Sequence, residues 1–394
     1  MRIVHVANFY GPNSGGIKTT LHELGKGYQH YGHDFIYIVP GINYVEEITP
    51  YGRKITLPGV ALPQSGGYRI IRNNVELKRI LKNLKPDRLE VSDRFTLTSL
   101  GLWARENGIP SVVFSHETLL GLVDRFAPFL PSFLRKRLVN GHNLKLARSF
   151  DHVVATTEFA SKEFKELAID NLVCIPLGVD LATFHPSLHS DALRESMLKG
   201  AHVLLVHCGR MSKEKEPQRS IDALEILLKK GIKARLVYVG TGPLWHKLRR
   251  KAQGMPVDFL GYIADRNRVA QILASADISL APGPLETFCL AALESLASGT
   301  PVVASQNSAV GEFLIHRHHH PAGAVASDNR FSFAESVQHI LKRPRMSITA
   351  REVAESLPWD ATVRNMLILH DALDEQPDLP QLIVRKSRKN LKVA

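Results

Sequence analysis

Residues 281–305 read APGPLETFCLAALESLASGTPVVAS, and their punctuation decides the fold. A strand at 277–280 runs into a Gly/Pro turn. A helix follows, apolar at Leu290, Leu293 and Leu296 and closed by Gly299, and a second strand covers 301–305. Two carboxylates mark this strand–loop–helix–strand unit, Glu286 in the loop and Glu294 two turns into the helix. Counted along one helix, their separation sets them about 80° apart around the axis and roughly 12 Å along it, too far for a single dyad. They hold two parts of one long ligand, or they are an ordinary acidic helix face. The N–H groups of Thr287, Phe288, Cys289 and Leu290, at the positive end of the helix, suit a phosphate.

The chain has 394 residues, 44% of them hydrophobic, which is enough for two cores. Its three cysteines are scattered without C-x-x-C spacing, so neither a disulfide framework nor a zinc site is indicated, and a reducing cytosol fits. The apolar run opening the chain is too short for a signal segment, and no run approaches a membrane span. A formal charge of +12 asks for an anionic partner. No helix-turn-helix, zinc-finger or aromatic strand signature supports nucleic acid, which is excluded as a partner.

Strands and helices alternate from the start. Strands are expected at 2–7, 34–39, 88–91 and 111–114, with helices at 75–84 and 97–106, and further strands at 152–156 and 172–175. This is the pattern of a doubly wound parallel sheet, in which ligands gather beyond the carboxyl ends of strands. Three such loops draw attention: the glycine pair Gly15 and Gly16, the run 92–94, and His116 directly after its strand. Residues 124–150 interleave Phe126, Phe129, Phe133 and Leu134 with Arg135, Lys136, Arg137, Lys145 and Arg148. Such a segment either covers the first domain or lies on an anionic bilayer.

After the Pro/Gly-punctuated segment CIPLGVDLATFHP, an expected linker, alternation restarts with strands at 202–208, 234–239 and 257–260. The loop after the first of these carries Arg210 and Lys215, two cations that can neutralise a diphosphate. The next loops carry Gly240, then Tyr262 and Ile263. The histidines His316, His318, His319 and His320 are contiguous and lack a completing carboxylate, so no metal site is expected there.

In this order, the Gly15-Gly16 loop, His116, the PLGVDLATFHP segment, Gly209-Arg210 to Lys215, VGTGP, FLGYI and ETFCLAALE resemble the family-four (group 1) retaining glycosyltransferases over nearly the whole chain. The resemblance implies an α/β protein of GT-B fold: two doubly wound Rossmann-like domains facing a central cleft, with a C-terminal helix crossing back. The boundaries are then residues 1–176 for the acceptor domain, 177–357 for the nucleotide-sugar domain, 358–376 for the returning helix and 377–394 for a basic tail.

The same resemblance assigns roles. Arg210 and Lys215 stabilise the departing diphosphate, Glu294 binds the ribose hydroxyls, Glu286 holds the donor sugar, and His116 contacts the sugar or supports charge at its anomeric carbon. Gly15 and Gly16 bring backbone to the phosphate. Gly240, Tyr262, Ile263, Thr287, Phe288, Cys289 and Leu290 line the nucleotide. Where the family usually has glycine after the phenylalanine, this chain has Cys289, whose side chain crowds that approach. No two aspartates stand two residues apart, so no divalent metal and no other cofactor is expected.

The expected reaction moves a hexose, mannose or glucose, from a nucleoside-diphosphate sugar to a lipid-linked or glycan acceptor. The stretches VSDRFTL and FSHETL look most like bacterial mannosyltransferases acting on glycolipids. With the cysteine usage and the basic segment around residues 135–148, a cytoplasmic protein peripheral on the inner face of the plasma membrane is expected. A sugar-nucleotide epimerase, or a non-catalytic basic binding protein, are the alternatives.

Overall fold

A computed structural model describes residues 1–11, 15–62, 65, 67–315, 321–343 and 346–374. The four histidines and the basic tail lie outside the described residues. The chain divides into two compact units, one formed by Met1–Leu62, Gly67–Pro176 and the chain from Asp360, the other by Leu177–Trp359.

The first unit contains β1 (Arg2–Ala7), β2 (Asp34–Gly41), β3 (Val45–Thr49), β4 (Gly52–Pro58), β5 (Val60–Ala61), β6 (Arg69–Ile70), β7 (Arg88–Ser92), β8 (Ser111–Ser115), β9 (His152–Ala155) and β10 (Leu172–Cys174). Among the described residues its main sheet runs β10-β9-β8-β7-β1-β2-β4-β3, parallel except for β3 against β4. Successive residues of each strand enter opposite cores, as period-2 geometry requires. Val4 and Val6 join the core under helices Asn74–Leu84 and Ser99–Glu106, while Ile3 and Ala7 join the core under helix Gly16–His30. The last helix, Trp359–Leu369, adds Val363, Met366 and Leu367 to that second core.

The second unit contains β11 (Val203–Cys208), β12 (Ala234–Val239), β13 (Val257–Phe259), β14 (Ile278–Ala281), β15 (Val302–Ser305) and β16 (Gly323–Ala326), all parallel in the order β13-β12-β11-β14-β15-β16. The segment expected as a linker is part of this unit's core: Leu177, Val179 and Phe184 are buried in it. The antiparallel β3–β4 hairpin was not anticipated, because two adjacent glutamates in VEEIT interrupt the apolar run that marks a buried strand, and every residue of it is at least partly exposed.

Each sheet has one place where the strand order reverses. In the first unit the chain leaves β1 toward β2 and returns to β7 on the other flank. In the second it leaves β11 toward β12 and returns to β14. Crevices outside the carboxyl ends of strands open at such reversals. The glycine loop and the Asp93-Arg94 loop follow β1 and β7. The Arg210–Lys215 loop and the Glu286 loop follow β11 and β14.

Candidate active site

In the second unit the two loops at the reversal meet through charge. The Lys215 ammonium donates to both oxygens of Glu286, at 2.6 Å each. Burial works against the Lys215 charge, but Glu286 outweighs it, so its pKa is raised. Arg210 sits in the same loop, where the Met211 N–H donates to the Thr241 carbonyl at 2.9 Å and ties the β11 and β12 loops together.

The helix of the ETFCLAALE motif begins later than its pattern suggests. It spans Leu290–Ala297, and Cys289 before it adopts φ 70°, ψ 75°, in the left-handed region. Glu286 lies in the loop, as expected, but because the helix starts only at Leu290 the helical count of angle and distance between the two glutamates does not apply. The cause is local: a left-handed residue cannot propagate a right-handed helix, so the chain kinks at Cys289. The free N–H donors expected at residues 287–290 move accordingly. Ala292 already donates to the Cys289 carbonyl at 3.0 Å, leaving Leu290 and Ala291 as the first-turn N–H groups ahead of the ladder. Thr287 and Phe288 are buried beneath, the latter ring 5.6 Å from Phe313. Burial, together with Glu286, pushes the Cys289 thiol far up and keeps it protonated.

Glu294 follows on the helix, and its partner is Arg266, whose guanidinium donates at 3.0 Å while its face covers the Phe184 ring at 4.9 Å. Burial raises the Glu294 carboxyl and Arg266 partly restores it. Sequence reasoning missed Arg266. Its only local signal is the Asp265 cap that starts helix Arg266–Ala274, and nothing there points to a carboxylate so far along the chain.

Gly240 and Gly261 close the neighbouring rim, where the Gly240 N–H donates to the Gly261 carbonyl at 2.7 Å. A Cβ on Gly240 would fall 2.1 Å from the Gly209 carbonyl oxygen, so this loop contact requires glycine. Tyr262 is exposed beside it, and Ile263 packs on the core.

In the first unit Gly15 caps helix Gly16–His30, and no described atom lies within 4 Å of where a Cβ on either glycine would stand. His116 directly follows β8. Burial drives its imidazole down to about 3, with His5 adding to the effect, so it is neutral near pH 7. The loop bearing it is clamped by buried Arg94, which donates to Ser115 Oγ at 2.9 Å, the Glu117 carbonyl at 2.9 Å and Glu163 Oε1 at 2.6 Å. Burial lifts the adjacent Glu117 carboxyl to about 7.

Two doubly wound α/β units, each with charged or glycine-rich loops at its sheet reversal, define a nucleotide-binding class of architecture. Residues 14–183 match the family described as Glycosyltransferase Family 4, and residues 202–343 the one described as Glycosyl transferases group 1. The chain belongs to this glycosyltransferase family and is a glycosyltransferase.

It is similar to the GDP-mannose-dependent alpha-(1-6)-phosphatidylinositol dimannoside mannosyltransferase of Mycobacterium tuberculosis, with 46% identity over 93% of this chain and 95% of that one. It is 28% identical to the alpha-monoglucosyldiacylglycerol synthase of Streptococcus pneumoniae, over 82% of this chain and 77% of that one. Among solved structures, sucrose-phosphate synthase from Thermosynechococcus elongatus matches with a TM-score of 0.74 and 19% identity, over 94% of this chain and 98% of that chain. That likeness shows the fold, which is GT-B. Neither an epimerase nor a non-catalytic binding protein finds support among these relatives.

Proposed function

We propose that this chain transfers mannose from GDP-mannose to a phosphatidylinositol-linked mannoside, with retention, without a divalent metal, at the cytoplasmic face of an anionic membrane. The observation that carries the reading is the 46% identity, nearly end to end, to a relative whose name states that donor and acceptor. The site residues supply the needed chemistry. A departing diphosphate develops negative charge, and pre-arranged cations and N–H groups stabilise it where it forms. Lys215, Arg210 and the first turn at Leu290 and Ala291 provide them, with Lys215 shared between the phosphate and Glu286. Glu294, held by Arg266, offers the carboxylate for ribose hydroxyls. With this positive charge supplied by the chain, EDTA is expected to leave the rate unchanged.

Helix Ser132–Ser149 supports the membrane part of the reading. It buries Val139, Asn143, Leu146 and Ala147 and exposes Phe133, Lys136, Arg137, Leu138, Lys145 and Arg148, with Phe129 exposed just before it. Apolar and cationic groups side by side fit an anionic lipid surface. None of the described helices is long and apolar enough to cross a membrane.

The test is a matrix of labelled donors and liposome-borne acceptors. Label is expected to enter lipid from GDP-mannose when the acceptor is a phosphatidylinositol mannoside, more so in anionic liposomes. Transfer from UDP-glucose to diacylglycerol, with none from GDP-mannose, overturns the assignment.

A further inference from the structure

Behind His116 a line of polar side chains runs through the interior of the first unit. His116 Nε2 lies 2.9 Å from Ser92 Oγ, and Ser92 Oγ lies 2.8 Å from His5 Nε2. His5 Nδ1 lies 2.7 Å from Glu90 Oε2. The other carboxylate oxygen, Oε1, accepts from Tyr28 Oη at 2.7 Å and from His370 Nε2 at 2.7 Å. His5, Glu90, Ser92, Tyr28 and His370 are all essentially without solvent exposure. The sheet builds this line: His5 on β1 is in register with Glu90 on β7, and Ser92 lies two residues on along the same face. That face is otherwise the apolar core of Ile3, Leu24, Phe35 and Phe114.

A carboxylate and two imidazoles in such a core are costly unless every polar atom is satisfied, and apolar residues of similar size would serve the fold as well. Burial opposes the Glu90 charge, and hydrogen bonds from His370 and His5 overcome it, holding the carboxyl well below the usual range. Glu90 is therefore an acceptor only, and His5 Nδ1 must carry a proton toward it.

The rest of the line follows from the single proton of a hydroxyl. Ser92 donates in one direction and accepts from the other. With neutral His5, Ser92 donates to His5 Nε2, so His116 Nε2 donates to Ser92 and its Nδ1 carries a lone pair. With His5 as imidazolium the direction reverses, and His116 Nδ1 carries the proton. In either state His116 has one defined tautomer. Its plane is fixed too, because the Phe114 ring stacks on His116 at 5.6 Å and 4° and on His5 at 5.4 Å and 19°.

We propose that Ser92, His5 and Glu90 are positioning residues that hold the His116 ring in one orientation and set its tautomer through the Ser92 hydroxyl, for its role toward the donor sugar. The inference rests on the reading of His116 as a sugar-contacting residue. His370 joins the line from the segment following the last helix, so the end of the fold is bonded to the same carboxylate that orients the site.

The experiment compares His116→Asn, Ser92→Ala, Ser92→Thr and Glu90→Gln in the full-length protein. Steady-state rates are measured with GDP-mannose and lipid acceptor, and long-range ¹H–¹⁵N spectra of the histidine rings are recorded. Ser92→Ala is expected to lower kcat about 10- to 100-fold, the scale at which a misplaced reacting group is felt. Its KM for donor stays within about 2-fold, the His116 ring nitrogens lose their single-tautomer shifts, and Ser92→Thr, which keeps the hydroxyl, recovers most of the rate. Glu90→Gln shifts the same resonances.

Ser92→Ala with unchanged kcat and an unchanged His116 spectrum overturns the inference, even if Tm falls. If His116→Asn itself retains full activity, the reading of His116 fails and the inference with it. Loss in His116→Asn without loss in Ser92→Ala defeats the inference alone.

Discussion

Replacing Gly240 by alanine tests how tightly the loops pack at the reversal of the second sheet. Gly240 has φ 127°, and an added Cβ would stand 2.1 Å from the Gly209 oxygen and 3.0 Å from its carbon. One of the two loops must then move by about 1 Å, and both are backbone, so neither can yield by rotating a side chain. Backbone strain of about 1–3 kcal/mol and overpacking of about 1–3 kcal/mol add to a destabilisation of roughly 2–6 kcal/mol. For a unit of this size, at about 2–4 °C per kcal/mol, that corresponds to a fall in Tm of about 4–24 °C. Gly254→Ala is the control, since Gly254 has φ 78° with nothing within 4 Å of its would-be Cβ. It carries only the left-handed penalty, about 1–2 kcal/mol. Because Gly209 leads directly into Arg210, Gly240→Ala is also expected to weaken GDP binding at least 10-fold, whereas Gly254→Ala leaves it unchanged. Differential scanning calorimetry and titration calorimetry read both effects. Equal destabilisation by the two variants refutes the packing argument.

Arg266→Met removes the cation from Glu294 and leaves a buried carboxyl that protonates more readily. GDP affinity is expected to fall about 10- to 100-fold, the range for a charge-assisted contact, and an affinity within 2-fold of wild type by titration calorimetry counts against a role for Arg266. The raised Glu294 carboxyl means that the folded state holds this proton more tightly than the unfolded chain. Its contribution to stability is thus fully present below the ordinary glutamate pKa of 4.5 and lost as pH rises through the folded value. Glu294→Gln should match wild-type Tm near pH 4 and exceed it at pH 8, and a difference that does not vary with pH contradicts the sign. His116 behaves oppositely. With its pKa lowered from 6.5 to about 3, its contribution to stability is present above 6.5 and lost as pH falls toward 3, so wild type should lose more Tm than His116→Asn over that interval.

The sheets were legible because buried parallel strands leave near-continuous apolar runs between amphipathic helices, as in Val203–Cys208 and Ala234–Val239. The Glu286 and Glu294 motif was legible for the same reason, since the strands and glycine around it punctuate so clearly. What was hidden depends on contacts between distant residues. The pairing of Arg266 with Glu294 exists only once helix Arg266–Ala274 packs beside helix Leu290–Ala297. The late start of that second helix turns on one backbone angle at Cys289, which a side-chain pattern cannot register. The line from Glu90 to His116 did leave a trace, because His5 and Glu90 are polar residues in strands whose neighbours are all apolar and buried. That trace went unread because a single polar residue in a strand also fits an exposed face.

The most direct measurement is nucleotide binding by the second unit's loops in the full-length protein. GDP at a hundred times its dissociation constant should stabilise the fold by about 2.7 kcal/mol, a rise of several degrees in Tm. That rise is expected for wild type with GDP in the presence of EDTA, and its loss in Glu294→Ala and Lys215→Ala. A wild-type Tm unmoved by any nucleoside diphosphate, or moved equally in both variants, would contradict the placement of the donor at Lys215, Glu286 and Glu294.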